Sequence, residues 1–249
     1  MTVLRLVAER SPASLAELQQ AAGLHKTVVF RLLRTLEAGG FVEQDPETGR
    51  FSVGLSAYQV GQAYANVGPL VRLGVPCLRT LVEGSPHGAY IGVRDGLEMV
   101  YVAIVEGRGP LRVYVPSGTR VAAHATAFGK VMLAELPDDE VLALIDAHGL
   151  AQLTPRTITD PSALLEHLHE VREHGYGLNY EETYPGIGSV GAVVRDGTGA
   201  PVGAASMSYA TSLLPQDELP EWIERTMSAA AEISSRLEGI VVHDAPASA

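Results

Sequence analysis

The pattern of apolar and polar positions over residues 1–54 predicts three helices followed by a β-hairpin. Ser14 and Glu17 have the spacing of a capping box at the start of the second helix, and Gly23 suits the left-handed position after its end. The sequence Asp-Pro-Glu-Thr-Gly at 45–49 is typical of a hairpin turn. The predicted elements are helices at 3–9, 14–22 and 26–38, and strands at 41–44 and 50–53.

Helical spacing of apolar residues continues over 55–65 and 70–82, with Gly68 and Pro69 between the two stretches. These helices are predicted to form a link at 55–83. The chain is therefore predicted to have an N-terminal domain at 1–54 and a C-terminal domain at 84–249.

Beyond Ser85 and Pro86 the pattern changes to short strands and longer helices. The tetrapeptide Val-Arg-Asp-Gly occurs at 93–96 and 194–197, and Asp-Gly between apolar runs indicates a hairpin each time. Antiparallel strands with flanking helices predict an α+β fold. Strands are predicted at 90–93, 99–105, 111–115, 192–194 and 202–208, and helices at 125–135, 138–147, 161–174 and 218–237.

Charge is distributed unevenly along this chain of 249 residues, whose net charge is −11. Residues 1–65 hold six basic and six acidic side chains, whereas residues 66–249 hold 12 basic and 23 acidic ones. This difference indicates two domains with different partners. Cys77 is the single cysteine, which excludes a disulfide framework or a multi-cysteine metal site. No apolar run reaches membrane-spanning length, so a cytoplasmic protein without membrane contact is expected.

The helix at 26–38 is predicted to enter a groove of DNA. On a helical wheel its apolar arc holds Val28, Val29, Leu32, Leu33 and Leu36, and its polar arc holds Lys26, Thr27, Phe30, Arg31 and Arg34. Arginine pairs with guanine edges, lysine and threonine bind phosphates, and an aromatic ring contacts a thymine methyl group. Arg50 lies beside the hairpin tip and is a further candidate contact. An amphipathic surface helix with a merely solvated charged face is the alternative.

Patterns expected of an enzyme are weak. His167, His169, Glu170 and His174 could suggest a metal site, but no His-Glu-x-x-His pattern is present and a solvated helix face is favoured. Ser189 lies in Gly-Ser-Val-Gly, which is not a nucleophile elbow. His124 has no evident catalytic partner and is expected to be a core or interface histidine. No catalytic residue, metal or cofactor is predicted.

Three segments resemble the IclR family of bacterial transcription regulators. The sequence LAELQQAAGLHKTVVFRLLRTLEAGGFVEQDPETGRFSVG resembles the family's N-terminal region. HATAFGKVMLAELPDDE and GYGLNYEETYPGIGSVGAVVRDGTGAPVGAASMSYATS resemble two segments of its C-terminal effector domain. The resemblance implies a winged helix-turn-helix joined by a linking helix to a GAF-like antiparallel-sheet domain that senses a small metabolite.

The resemblance also implies an effector site at Gly129, Asn179, Ser189, Ser206 and Ser208. Hydroxyl groups and backbone N–H groups suit a small carboxylate or hydroxy acid. Because Ser206 and Ser208 are two apart on a predicted strand, they face the same side. The alternative is that both serines only satisfy backbone groups of the sheet.

Two charged features near this site are predicted to be structural. Glu181 and Glu182 resemble the paired acids of the family. On a strand they would point to opposite faces, so a role in capping loop N–H groups is favoured over catalysis. Lys130 is expected to be a helix-surface or interface charge, with attraction of an anion as the alternative.

Together these features predict a transcription regulator, in particular a repressor. Its binding to a double-stranded operator would respond to an organic acid, and it would act as a homodimer or dimer of dimers at the nucleoid. The competing hypothesis is a metabolite-binding protein or enzyme whose N-terminal domain serves only for association.

Overall fold

The computed structural model describes residues 2–62, 67–107 and 115–240 of the chain. The backbone separates into two compact units, residues 1–65 and 66–249. Within the described ranges, no helix is both long and apolar enough to cross a membrane.

The N-terminal unit is a helix-turn-helix followed by an antiparallel hairpin, as predicted. Val7, Leu18 and Leu33, one from each of the first three helices, are fully buried together, and Phe51 of the hairpin packs against them. The elements of the unit are α1 (Thr2–Arg10), α2 (Leu15–Ala22), α3 (Lys26–Ala38), β1 (Val42–Gln44), β2 (Phe51–Val53) and α4 (Leu55–Gln62).

The predicted ends of α2 are confirmed. The Ser14 N–H donates to Glu17 Oε2 at 2.6 Å, and the Glu17 N–H donates to Ser14 Oγ at 3.3 Å, which completes a capping box. Gly23 follows the helix with φ +62°, a left-handed conformation that glycine adopts without strain. Residues 23–25 then form the short turn that leads into α3.

The buried side of α3 differs from the predicted one. Val29 and Leu33 are fully buried, but Val28 and Leu32 are 45% and 41% exposed. The buried stripe runs through Val29 and Leu33, with Leu36 half-buried beside them. The helix is therefore rotated by roughly 40° from the predicted orientation. Val28 and Leu32 are as apolar as Val29 and Leu33, so the sequence pattern could not distinguish this flank from the centre of the stripe.

The C-terminal unit is α+β, which confirms the predicted fold class. The elements of this unit are α5 (Val67–Leu81), β3 (Gly88–Asp95), β4 (Glu98–Val105), β5 (Arg120–Ala122), a 3₁₀ turn (Ala123–Ala125), α6 (Ala127–Ala134), α7 (Asp138–His148), α8 (Pro161–His174), β6 (Gly177–Tyr180), β7 (Ile187–Arg195), β8 (Pro201–Ala210) and α9 (Leu219–Arg236). Its strands form one six-stranded sheet in the order β5-β4-β3-β8-β7-β6, with all neighbouring strands antiparallel.

Helices cover both faces of this sheet. On one face α5 and α9 bury Ile91, Met207 and Ile233. On the other face α6 lies against β7 and β8, α8 packs on α6, and Phe128 and Leu164 belong to the shared core. Two apolar layers with the sheet between them account for the stability of the unit.

A glycine allows the start of α6 to approach the sheet closely. A Cβ atom at Gly191 of β7 would lie 2.6 Å from the backbone N of Phe128 and 2.7 Å from the carbonyl C of Ala127. Only a residue without a side chain therefore fits between the strand and the first turn of α6.

Several predicted bounds are wrong. Gly68 and Pro69 lie inside the first turn of α5, where proline is tolerated because its missing N–H would have no helical partner. The 3₁₀ turn replaces the predicted start of α6, and the short strands β5 and β6 were not predicted. Residues 111–114 of the strand predicted at 111–115 lie outside the described residues.

Candidate DNA-binding face and candidate effector cavity

A side chain that was not among the predicted site residues caps the start of α3. His25 is the N-cap residue of α3, and its Nδ1 accepts a hydrogen bond from the Thr27 N–H at 3.4 Å. Histidine is an unusual N-cap, so the standard residue preferences gave no signal. The contact holds the Thr27 backbone at the start of the helix.

The outward face of α3 combines predicted residues with one that was missed. Opposite the buried Val29 and Leu33 lie Thr27, Arg31, Arg34 and Thr35, all exposed. The Thr35 Oγ1 donates to the Arg31 carbonyl at 3.0 Å. Taking Val29 and Leu33 as the centre of the buried stripe would have found Thr35.

Arg34 already has a partner on its own helix. Its Nη1 donates to Glu37 Oε2 at 2.6 Å, and the Arg34 side chain is 55% exposed. Exposed ion pairs of this kind contribute about 0–1 kcal/mol, so the contact is easily exchanged for one to DNA. Arg31, by contrast, has no ion pair within the described part of the chain.

Lys26 and Phe30 flank this face. Both are exposed, and the Phe30 ring is 43% accessible. An aromatic ring left in water on a helix of a small unit fits the predicted contact with an apolar base edge.

The Arg50 guanidinium, predicted to contact DNA, is bound to other residues of the N-terminal unit. It donates to the Pro12 carbonyl at 2.9 and 3.1 Å and to Glu17 Oε2 at 2.8 Å. Arg50 therefore ties the hairpin to the start of α2. A contact from Arg50 to DNA stays a prediction, and such a contact would have to replace these bonds.

Asp45 holds the hairpin tip. Its Oδ1 accepts from the Thr48 N–H at 2.7 Å, the Thr48 hydroxyl at 2.9 Å and the Glu47 N–H at 2.9 Å. The bonds from Thr48, followed by that from Glu47, hold the pKa of Asp45 below its usual value. Three hydrogen bonds to one oxygen thus close the tip, and the sequence predicted this turn correctly.

In the C-terminal unit, Asn179, Ser189, Ser206 and Ser208 line one small, partly open cavity. The sheet register brings them together, because Asn179 pairs with Ser189 and Ser189 pairs with Ser208 across β6, β7 and β8. The other lining residues come from both sides of the cavity: Tyr90, Tyr101, Val115, Thr126, Phe128, Thr183, Tyr184 and Ile187.

Gly129, the fifth residue assigned to this site, does not line the cavity. A Cβ atom there would lie 2.3 Å from the Ala123 carbonyl oxygen, so Gly129 permits close packing of α6 on the 3₁₀ turn. Its neighbours Thr126 and Phe128 form the cavity wall instead. The prediction was therefore correct for the position of the neighbours of Gly129 and wrong for Gly129 itself, whose role is in packing.

The polar groups of the cavity differ in what they can offer a ligand. Asn179 Nδ2 donates to Ser189 Oγ at 3.3 Å, which leaves the Ser189 hydroxyl proton available. The Ser206 hydroxyl donates to the Val190 carbonyl at 2.7 Å, so its proton is committed to the sheet. For Ser206 the alternative of a backbone partner therefore holds.

The phenols beside these groups stay protonated. Ser208 Oγ donates to the Tyr90 hydroxyl oxygen at 3.2 Å, which leaves the phenolic proton free to donate. Burial raises the pKa of Tyr90 and of Tyr101 above the usual range. Both rings therefore present neutral O–H groups at any physiological pH.

The predictions for Lys130 and the neighbouring acids were wrong in detail. Lys130 is fully buried rather than on the surface, and its Nζ donates to Glu182 Oε1 at 2.5 Å. Glu181 has φ +60° and lies after β6 rather than on a strand, and its Oε1 accepts from the Thr211 hydroxyl. The partners are far apart in sequence, so helical periodicity gave no signal for them.

The histidines do not assemble a catalytic or metal site among the described residues. No group of three or more potential metal ligands occurs there. His169 pairs with Asp138 at 2.8 Å, and the half-buried His167 pairs with Glu170 at 3.4 Å. His124 is buried against the Ala151 carbonyl, in agreement with the prediction of a core histidine.

Family models match both units of the chain. The model described as IclR helix-turn-helix domain matches residues 1–46, and the model described as bacterial transcriptional regulator IclR C-terminal matches residues 62–235. The second match alone spans more than half of the chain.

Related proteins match over nearly the whole length. The HTH-type transcriptional repressor AllR of Escherichia coli K12 is 32% identical over 93% of this chain and 85% of its own. The regulator BhcR of Paracoccus denitrificans is 32% identical over 94% and 84%. A crystal structure of an IclR transcriptional regulator from Alicyclobacillus acidocaldarius has a TM-score of 0.80, with 27% identity over 94% and 95% of the two chains.

These relatives are regulators of transcription, so the competing hypothesis of an enzyme is not supported. The helix-turn-helix lies within the residues that the first model matches. The six-stranded sheet lies within the residues that the second model matches. The protein therefore belongs to the IclR family of DNA-binding transcription regulators.

Proposed function

We propose that this regulator is a repressor whose operator binding is modulated by a small organic acid bound in the C-terminal cavity. The cavity at Asn179 and Ser189 carries the proposal, because it gathers uncharged donors in an otherwise apolar setting. Such a combination orients a small polar ligand and leaves the rest of it in van der Waals contact.

The donors of the cavity favour a ligand rich in acceptor oxygens. Ser189 and Tyr90 have O–H protons that their protein partners do not use, and Asn179 Nδ2 has a second N–H. No lysine or arginine occurs among the described residues that line the cavity. The carboxylate would therefore be held by neutral hydrogen bonds, each worth about 1.5–3 kcal/mol when the acceptor is charged.

DNA recognition is assigned to the outward face of α3. Arg31 and Arg34 are proposed to contact base edges, Thr27, Thr35 and Lys26 to contact phosphates, and Phe30 to contact a thymine methyl group. One such helix covers a single half-site, so a homodimer or dimer of dimers is proposed. The helices at 55–83 are proposed to link the domains at 1–54 and 84–249, and the regulator is expected to act at the nucleoid in the cytoplasm.

The test is operator binding with and without acids. Fluorescence anisotropy on DNA from upstream of the regulator's own gene would be measured alone and with acetate, lactate, malate and benzoate. At least one acid is expected to lower operator affinity by 10-fold or more at millimolar concentration. The proposal would be contradicted if operator binding occurs but no organic acid in a broader panel changes it.

A further inference from the structure

We propose that Lys130 is a positioning residue that fixes the orientation of the Asn179 side-chain amide toward the effector cavity, an inference that rests on the proposed function of that cavity. Lys130 does not line the cavity. It would act through the loop that follows β6, which supplies Thr183 and Tyr184 to the cavity wall.

The ammonium group of Lys130 holds both sides of Asn179. Its Nζ donates to the Leu178 carbonyl at 3.0 Å, immediately before Asn179, and to Glu182 Oε1 at 2.5 Å, three residues after it. The Lys130 side chain is completely inaccessible to water, and that of Glu182 is 10% exposed. A buried ion pair with one partner missing is strongly destabilising, so the two residues constrain each other's position.

The loop is held by further buried contacts. Glu181 takes a left-handed conformation, which turns the chain away from β6. The Thr154 hydroxyl donates to the Glu181 carbonyl at 2.8 Å, and the Thr157 hydroxyl donates to the Glu182 carbonyl at 2.7 Å. With the backbone of Glu182 fixed in this way, its N–H points back to Asn179 and donates to Oδ1 at 2.7 Å.

This last bond decides which end of the amide faces the ligand. A backbone N–H can only donate, so the Asn179 atom that meets it must be the oxygen. The Nδ2 group is then directed to Ser189 Oγ and the cavity. Asn179 therefore presents a donor to the effector, and the preference of the cavity for acceptor oxygens depends on the Lys130–Glu182 pair.

The neighbours of Lys130 do not offer a substitute counter-charge. Besides Glu182, the ionisable His124 and His167 lie near enough to feel its charge, and burial followed by Lys130 itself lowers the pKa of His167. For His124 burial again lowers the pKa most. An imidazole could only add positive charge, so neither histidine can replace Glu182, the carboxylate that Lys130 contacts among the described residues.

The composition of the chain permits a direct test without any effector. Its asparagines are Asn66 and Asn179, so selective ¹⁵N-asparagine labelling of the full chain gives side-chain amide signals that Asn66→Asp assigns. In the wild type, the Asn179 amide protons are expected to exchange with water at least 10-fold more slowly than those of the Asn66 side chain in the protein unfolded by urea.

Two pairs of variants separate positioning from general packing. Glu182→Gln keeps an acceptor for Lys130 and is expected to retain the Asn179 signal, whereas Glu182→Leu is expected to shift it and to accelerate its exchange at least 10-fold. Lys130→Met should act like Glu182→Leu, and Lys26→Met on the other lysine is the control. Should a single variant fail to fold, Lys130→Met with Glu182→Leu removes both charges and leaves no unpaired buried charge.

The proposal is overturned if the Asn179 signal of the folded double variant keeps the wild-type position and exchange rate. It is equally overturned if Glu182→Gln and Glu182→Leu change the signal alike. Because the measurement contains no acid, a failure of the proposed effector function leaves its result unaffected.

Discussion

At the scale of single residues, identical side chains on one wall of the cavity have different chemistry. Ser189 accepts from Asn179 and keeps its proton, while Ser206 gives its proton to Val190. The neighbours of each serine decide this difference, since Ser189 lies opposite Asn179 on β6, whereas Ser206 reaches the Val190 carbonyl of β7. We therefore expect effector binding to depend on the serine that has a free donor.

Replacing Ser189 by alanine should weaken binding of an inducing acid by about 10- to 100-fold, because one hydrogen bond to a charged oxygen is lost. Ser206→Ala is the matched control and should change the affinity by less than about threefold. Isothermal titration calorimetry on both variants measures the difference. Equal losses in the two variants would show that the bond to Val190 does not distinguish the serines.

On α3, Arg31→Ala should weaken operator binding by about 1–3 kcal/mol, since a bidentate contact to a guanine edge is lost. Arg34→Ala should have an effect of the same size, and Glu37→Gln, which frees Arg34, should strengthen binding. Binding of each variant to operator and to unrelated DNA would be compared by anisotropy. Wild-type operator affinity in both arginine variants would rule out α3 as the recognition helix.

The role of a residue could be predicted from sequence when its hydrogen-bond partner lies close to it along the chain. The contacts of Ser14 with Glu17 and of Asp45 with Thr48 lie within one turn, and both turns were predicted correctly. Lys130 was misplaced because its partner Glu182 is 52 positions away and belongs to a loop. A family resemblance supplied the cavity residues that no local pattern could indicate.

At the scale of secondary-structure elements, the site depends on how closely α6 approaches β7. Gly191→Ala should destabilise the C-terminal unit by about 1–3 kcal/mol, because its Cβ atom would meet the backbone at Phe128 and Ala127. Gly68→Ala, where a Cβ atom meets nothing within 4 Å, is the control. Urea unfolding measures both, and equal stability of the two variants would contradict the close approach.

The hairpin tip should titrate below the usual range of an aspartate. Since bonds from Thr48 and Glu47 lower the pKa of Asp45 in the folded state, they stabilise the tip above the unfolded pKa, about 3.9. This stabilisation is lost as the pH falls through the lower folded value. The Thr48 amide proton, followed by NMR, should therefore titrate with a midpoint below about 3.9, and a midpoint at or above this value would contradict the bonds.

The long helices were predicted well, and the strands of the C-terminal sheet less well. Helices such as α8 (Pro161–His174) have enough turns for their periodicity to be unambiguous. The strands β5 (Arg120–Ala122) and β6 (Gly177–Tyr180) have three and four residues, too few for an alternating pattern. Their formation depends on pairing with β4 and β7, which the local sequence does not encode.

At the scale of the whole molecule, the two units differ in charge and in the kind of site each contains. The N-terminal unit exposes the cationic face of α3, and the more acidic C-terminal part contains the cavity. For a ligand to change operator affinity, it must bind the DNA-competent and incompetent states unequally. A 100-fold change corresponds to a coupling free energy of about 2.7 kcal/mol, which one or two hydrogen bonds in the cavity can supply.

The measurement that tests this account most directly is operator affinity as a function of acid concentration, in the wild type and in Ser189→Ala. Both proteins are expected to bind operator equally well without acid, and the variant should need about 10- to 100-fold more acid for half of the response. An unchanged acid response in Ser189→Ala would show that the effector binds elsewhere. A loss of acid-free operator binding in the variant would contradict the assignment of the cavity to regulation alone.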